Sequence, residues 1–105
     1  MRRGRLHLIT ALVLAAMAVP SHAATIQIVM QNLEISPAEV SAKVGDTIEW
    51  INKDVFAHTA TAQNGNFDVT MPPEKTVTLA LKKAGMVEYY CRFHPNMKAT
   101  LMVVP

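Results

Sequence analysis

The sequence has 105 residues, half of them apolar, which suits one small domain with a modest core. Three of its ten Lys and Arg residues, Arg2, Arg3 and Arg5, lie at the very start. The rest of the chain therefore has seven positively charged residues and eight Asp and Glu, which nearly cancel. This balance, with no basic run, excludes the usual kind of nucleic-acid-binding surface. The single cysteine excludes an internal disulfide.

The N-terminal segment has the pattern of a secretory signal peptide. A basic head at residues 1–5 is followed by an apolar run at 6–19, and Ser21-His22-Ala23 has the small-x-small pattern that signal peptidase accepts. The apolar run is too short to favour a membrane span. We therefore expect residues 1–23 to be a signal peptide for export to the periplasm, and residues 24–105 to form the mature domain.

The first half of the mature part reads as short strands separated by turns. Alternating apolar residues predict a strand at 25–30, and residues 31–37 are expected to turn the chain because Pro37 is barred from a central ladder. A stretch with Val40, Ala42 and Val44 on one face leads through Gly45-Asp46 into a strand at 47–52. We expect these two stretches to form a hairpin.

The second half continues this pattern. Residues 53–57 are expected to form a loop leading to His58, and 59–62 a strand that ends near Asn64-Gly65, a strong hairpin signal. Further strands are predicted at 76–81, 86–90 and 98–104, and the mature part shows no helical period. These features predict an all-β fold, a Greek-key β-sandwich or barrel.

Three metal-binding side chains follow the penultimate strand at even spacing, namely Cys91, His94 and Met97. In a sandwich two adjacent strands end at the same pole, so His58 at the start of one strand can meet a loop that joins two others. Two His, one Cys and one Met are the ligand set of a mononuclear blue-copper centre, with the Met as a weak axial ligand. The sequence therefore predicts one copper per chain.

Other interpretations of these residues remain open. A lone Cys is often a small buried hydrophobe, and a Met can fill a gap in a core. Zinc also binds Cys and His but seldom takes a thioether. A nucleophilic Cys with a His base is a further alternative, although a hydrolase would not need Met97 on the same loop. A free thiol outside the cytosol is exposed to oxidation, and metal ligation would explain its presence in an exported chain.

The segment 89–97, with two Tyr before the Cys and Pro95 after the His, resembles the ligand loop of the cupredoxins. It is most similar to the short loop of the amicyanins, whereas plastocyanin and pseudoazurin have a longer His-to-Met segment. Residues 35–40, 44–52 and 54–58 also resemble the cupredoxin pattern that leads to the first ligand. The resemblance implies a type 1 copper site with equatorial ligands His58, Cys91 and His94 and the axial ligand Met97.

Four positions depart from the family's pattern: Thr59 (commonly Asn), Pro73 (usually Gly), Arg92 (often Ser or Thr) and Ala99 (usually Gly). None of them removes a ligand. Because residue 59 is not Asn, any side-chain bracing of the ligand loop from this position must be made in another way.

The resemblance implies a periplasmic one-electron carrier that cycles between Cu(II) and Cu(I). It is not expected to be an enzyme, because four protein ligands leave no coordination position for a substrate. The alternative is a periplasmic copper-binding protein for copper trafficking or delivery. Redox proteins such as a periplasmic dehydrogenase and a c-type cytochrome are the implied partners. We expect a monomer that binds no nucleic acid and does not insert into the membrane after signal cleavage.

Overall fold

The computed structural model describes residues 22–105, so the predicted signal peptide lies almost wholly outside the described residues. Within them the chain forms nine strands and no helix, and hence no helix that could cross a membrane. The strands are β1 (Thr25–Gln31), β2 (Glu34–Ser36), β3 (Glu39–Lys43), β4 (Thr47–Asn52), β5 (His58–Ala62), β6 (Asp68–Met71), β7 (Thr76–Ala80), β8 (Gly85–Tyr90) and β9 (Lys98–Val104).

The strands make two sheets, one in the order β2-β1-β4-β7 and the other in the order β3-β9-β8-β5-β6. Neighbouring strands are antiparallel except for two pairs, β1 with β4 and β3 with β9. Apolar residues from both sheets are buried in one common core. The predicted all-β sandwich is therefore confirmed, and its parallel pairs arise where the chain crosses between the sheets.

The predicted hairpin at Gly45-Asp46 is wrong. β3 pairs with β9 in the five-stranded sheet, whereas β4 lies between β1 and β7 in the other sheet. The turn therefore carries the chain from one sheet to the other, and Gly45 adopts a φ of 98° that glycine reaches easily. Val44, expected on the same face as Val40 and Ala42, lies beyond the end of β3 and is exposed, whereas Ala42 is buried.

The hairpin predicted at Asn64-Gly65 is confirmed, since it joins the antiparallel strands β5 and β6. The Ala62 N–H donates to the Phe67 carbonyl across the turn, at 2.9 Å. The sequence predicts no bounds for β2 or β6, although the hairpin implies a strand after Asn64-Gly65. These two strands have three and four residues, too few to show an alternation of apolar and polar side chains.

Trp50 on β4 is fully buried and joins the two sheets. Its indole N–H donates to the Tyr89 hydroxyl on β8, and the Phe67 ring lies against both, with ring centroids 5.6 and 5.8 Å away. Aromatic pairs of this kind add about 0.5–1.5 kcal/mol each beyond the area they bury. Burial raises the pKa of Tyr89 to about 12. This cluster fixes β8, and with it the segment that leads directly to Cys91.

Candidate metal centre

The candidate donors meet at one end of the five-stranded sheet. His58 is the first residue of β5, and Cys91 directly follows β8, which pairs with β5. The loop from β8 to β9 carries His94 and Met97. Because β5 begins where β8 ends, antiparallel pairing puts the two donor segments at the same pole. The structure therefore brings His58, Cys91 and His94 together, as the sequence pattern predicts.

The distances between these three donors suit one ion. Cys91 Sγ lies 3.7 Å from His58 Nδ1 and 3.9 Å from His94 Nδ1, and all donor atoms lie within 4.8 Å of one another. Sulfur and nitrogen bound to one ion at about 2.3 and 2.0 Å, with angles between tetrahedral and trigonal, are about 3.5–3.7 Å apart. One thiolate sulfur with two imidazole nitrogens is a donor group suited to copper.

Asp54 sets the orientation of the His58 ring. His58 is fully buried, and its Nε2 lies 2.7 Å from Asp54 Oδ2. A carboxylate can only accept, so Nε2 carries the proton and Nδ1 keeps its lone pair on the side of Cys91. A hydrogen bond that fixes the tautomer and direction of a ligating His is a usual feature of metal sites.

The Asp54 carboxylate is itself held by the turn between β1 and β2. It accepts the backbone N–H of Asn32 at 2.8 Å and that of Leu33 at 3.4 Å. Burial alone would raise the pKa of Asp54, but the hydrogen bonds from His58, Asn32 and Leu33 outweigh this effect and hold the pKa below its usual value. The group therefore remains a charged acceptor for His58.

Asn52, at the end of β4, holds the loop that carries Asp54. Its side-chain NH₂ lies within hydrogen-bonding distance of the carbonyls of Phe56, Met71 and Pro72, and its Oδ1 accepts the Asp54 N–H. Neither Asn52 nor Asp54 stands out in the sequence. An amide at a strand end and a carboxylate in a loop are common, and only the tertiary structure shows that both are buried.

Phe56 covers both imidazoles. Its ring centroid lies 5.2 Å from that of His58 and 5.3 Å from that of His94, and the residue is 40% exposed. Because His58 is buried and His94 only half-buried, the His94 ring is the part of the donor group nearest to the surface. The site therefore communicates with solvent on the side of His94 and Phe56.

A ring of hydrogen bonds braces the residue after Cys91. The Arg92 backbone N–H donates to Thr59 Oγ1, and this oxygen lies 2.9 Å from Thr61 Oγ1. The Thr61 hydroxyl donates to the Asp68 carboxylate, and the same carboxylate oxygen accepts the side-chain Nε–H of Arg92. Because a carboxylate only accepts, the Thr61 hydroxyl proton goes to Asp68, and Thr61 Oγ1 must accept from the Thr59 hydroxyl. The ring is closed by Arg92, which donates through its backbone N–H at one end and through its side chain at the other. The hydrogen bond from Thr61, followed by that from Arg92, holds the pKa of Asp68 below its usual value.

This ring accounts for two of the departures from the family pattern. Thr59 offers a hydroxyl where Asn is common, and Arg92 supplies both the amide that this hydroxyl accepts and the cation that closes the ring on Asp68. The Thr59 N–H also points at Cys91 Sγ, at 3.4 Å. Residue 59 thus contacts both the sulfur and the loop that follows it.

Met97 closes the ligand loop through its backbone. The Cys91 N–H donates to the Met97 carbonyl at 3.1 Å, and the Met97 N–H donates to the His94 carbonyl at 2.9 Å. Met97 is 1% exposed. Met71 is also fully buried, and it lies opposite His58 in the β5–β6 register. Two thioethers are therefore buried at this pole, and the axial role of Met97 stays a prediction.

Comparison with known proteins gives the family. A profile described as a cupredoxin-like domain matches residues 4–103. The chain belongs to the cupredoxin family. It is 32% identical over 92 residues to the methylamine utilization protein MauL of Methylorubrum extorquens, an alignment that covers 84% of this chain and 81% of MauL. It is 31% identical over 71 residues to amicyanin of Paracoccus denitrificans, covering 62% of this chain and 54% of amicyanin.

Solved structures of amicyanin variants share this cupredoxin's fold. A Cu(I) form has a TM-score of 0.66 at 26% identity and covers 75% of this chain and 81% of amicyanin. An oxidised form has a TM-score of 0.67, also at 26% identity, covering 74% of this chain and 80% of amicyanin. A copper-containing nitrite reductase from Thermus scotoductus has a TM-score of 0.67, but at 24% identity and over 22% of its own length it shows the fold alone. The predicted relationship to amicyanin is confirmed.

The bracing ring leads to a testable prediction. Thr59→Val removes the hydroxyl that accepts the Arg92 N–H, so the exchange protection of that amide should fall by up to about tenfold, the equivalent of one lost hydrogen bond. Native-state hydrogen exchange of the metal-free protein, followed by NMR, measures this. Thr59→Ser, which keeps the hydroxyl, is the matched control and should retain the protection. Unchanged protection of Arg92 in Thr59→Val would show that the ring does not hold the loop.

Proposed function

We propose that this cupredoxin is a periplasmic blue copper protein that carries one electron at a time between redox partners. The observation that supports this most strongly is the close approach of one thiol sulfur and two imidazole nitrogens at the pole of the sandwich. His58, Cys91 and His94 would hold the metal as equatorial ligands, and Met97 as the axial one. Bound copper would supply a centre that accepts an electron as Cu(II) and returns it as Cu(I).

The role of the protein in this proposal is to hold the donors still. Asp54 fixes the His58 ring, the Thr59 N–H contacts the sulfur, and the Arg92 ring braces the residue next to it. Thiolate and thioether sulfur suit Cu(I), and imidazole suits both oxidation states. A donor set fixed between these two preferences has little to rearrange when the charge of the ion changes.

Burial of the donors bears on the alternative, copper delivery. Handover of an ion to another protein needs exposed donors that the acceptor can reach, yet His58 and Cys91 are 0% exposed. The site is therefore better suited to retaining an ion through many redox cycles. The similarity to nitrite reductase is one of fold alone and does not favour catalysis either. With Met97 as a fourth donor, no coordination position would be open for a substrate.

Partners would approach at an apolar surface around His94. Three exposed apolar side chains lie on the two loops that meet there, namely Val55 (75% exposed), Phe56 (40%) and Phe93 (51%). Small transient contacts are typical of electron-transfer complexes. We infer a dehydrogenase as electron donor and a c-type cytochrome as acceptor. The similarity to MauL, named for methylamine utilization, supports a donor that oxidises amines.

The first test concerns the ligand set. Loaded with Cu(II), the exported protein should show an intense blue sulfur-to-copper charge-transfer absorption at one copper per chain. Cys91→Ser should lose this absorption completely, because the sulfur donor is gone, while its circular dichroism remains that of a folded β protein. A wild type that binds zinc tightly but gives only pale, weakly absorbing copper would contradict the proposal.

The second test concerns docking. Phe93→Glu puts a charge into the apolar surface and should slow electron exchange with the native partner by about tenfold or more, the equivalent of losing one important contact. Stopped-flow kinetics measures the rate, and voltammetry should show little change in midpoint potential. Met86→Glu is the matched control, because Met86 is 61% exposed and lies near the start of β8, at the end of the strand away from Cys91. Equal rates in both variants would move the docking surface elsewhere.

A further inference from the structure

The first residue after the predicted cleavage site is fixed in the fold at two points. The Ala24 N–H donates to Asp46 Oδ1 at 2.8 Å, and the Ala24 carbonyl accepts the Thr47 N–H at 2.9 Å. Thr25 then begins β1, opposite Thr47 on β4. Ala24 is thus already part of the sandwich, although the Ser21-His22-Ala23 pattern lies immediately before it.

Asp46 is a carboxylate with little access to water, since the residue is 6% exposed. Its two oxygens have separate roles: Oδ2 accepts the Lys43 N–H within the turn, and Oδ1 faces Ala24. These two backbone hydrogen bonds, led by that from Ala24, hold the pKa of Asp46 below its usual value. A buried carboxylate of this kind is stabilised further by a cation at the position of its hydrogen-bond donor.

We propose that Asp46 is the binding site for the α-ammonium group that cleavage between Ala23 and Ala24 creates. In the uncleaved chain the nitrogen of Ala24 is a neutral amide with one N–H. Hydrolysis of the Ala23–Ala24 peptide bond consumes one water, leaves a carboxylate on Ala23, and turns the Ala24 nitrogen into a cationic amine 2.8 Å from Asp46 Oδ1. Ala23 and Ala24 are both exposed, so the scissile bond is accessible.

Processing would therefore strengthen the fold. A charge-assisted hydrogen bond is about twice as strong as a neutral one. The new ion pair would fix the start of β1 against the turn that leads into β4, two strands of the same sheet. The precursor lacks this ion pair and is the less stable form. The inference rests on the predicted cleavage site and is independent of copper binding.

The experiment exports the full chain from its own leader and measures the mature product. Intact mass should show a product that begins at Ala24. A variant with one Gln inserted between Ala23 and Ala24 should give a product with one extra residue, whose Ala24 nitrogen is again a neutral amide. Its Tm should be about 4–8 °C lower than that of the wild type, the shift expected in a domain of this size for a several-fold change in the unfolding equilibrium.

Asp46→Asn is the partner in a double-mutant cycle. The inserted Gln should lower the Tm in the wild-type background, because it moves the ammonium group away from Asp46. In the Asp46→Asn background it should have almost no effect on the Tm, because no carboxylate is left there to pair with the ammonium group. Acetylation of the Ala24 amine in the mature wild type should reproduce the fall in Tm. The test therefore does not depend on whether the Asp46→Asn variant folds. An equal effect of the insertion in both backgrounds, no effect of acetylation, or a mature product that begins elsewhere would overturn the proposal.

Discussion

The hydrogen bond between Asp54 and His58 is the interaction on which the candidate metal centre depends. A buried imidazole could present either nitrogen to Cys91, and the carboxylate decides this by accepting from Nε2. Asp54 is in turn held by the amides of Asn32 and Leu33, whose positive φ angles of 54° and 61° turn both N–H groups of the β1–β2 connection toward it. One charged side chain thus links a turn of the four-stranded sheet to the first residue of β5.

The opposite side of the site is held by a separate network. Thr59 contacts the Cys91 sulfur through its amide and the Arg92 amide through its hydroxyl, and Asp68 closes the ring from β6. Both networks are complete without an ion, because their donors and acceptors all belong to the protein. Together they hold one sulfur and two nitrogens at separations close to those in a site with a single ion, and they leave only the His94 side near solvent. A site held in this way suits electron transfer, in which the ion changes charge and its ligands do not move far.

Sequence patterns predicted the parts of this structure that depend on local alternation and residue type. The sequence predicts strand β9 with its observed bounds, and it predicts the Cys and His donors because Cys91, His58 and His94 are the only Cys and His in the mature part. The prediction of a hairpin at Gly45-Asp46 is wrong because a turn signal in the sequence does not indicate which sheet the next strand joins. Asp54 and Asp68 could not be recognised, since their roles depend on partners from other strands and turns. Thr59 and Arg92 looked like unrelated departures until the structure showed them in one hydrogen-bonded ring.

We infer that the protein orients its candidate donors before a metal ion binds. The state of the His58 ring in the metal-free protein tests this most directly, and ¹⁵N NMR of the histidine side chains at pH 8 can determine it. The geometry predicts a single tautomer with the proton on Nε2, hydrogen-bonded to Asp54, and an unprotonated Nδ1 beside Cys91. A ring that carries its proton on Nδ1, or that exchanges between the two tautomers, would contradict a centre organised by Asp54.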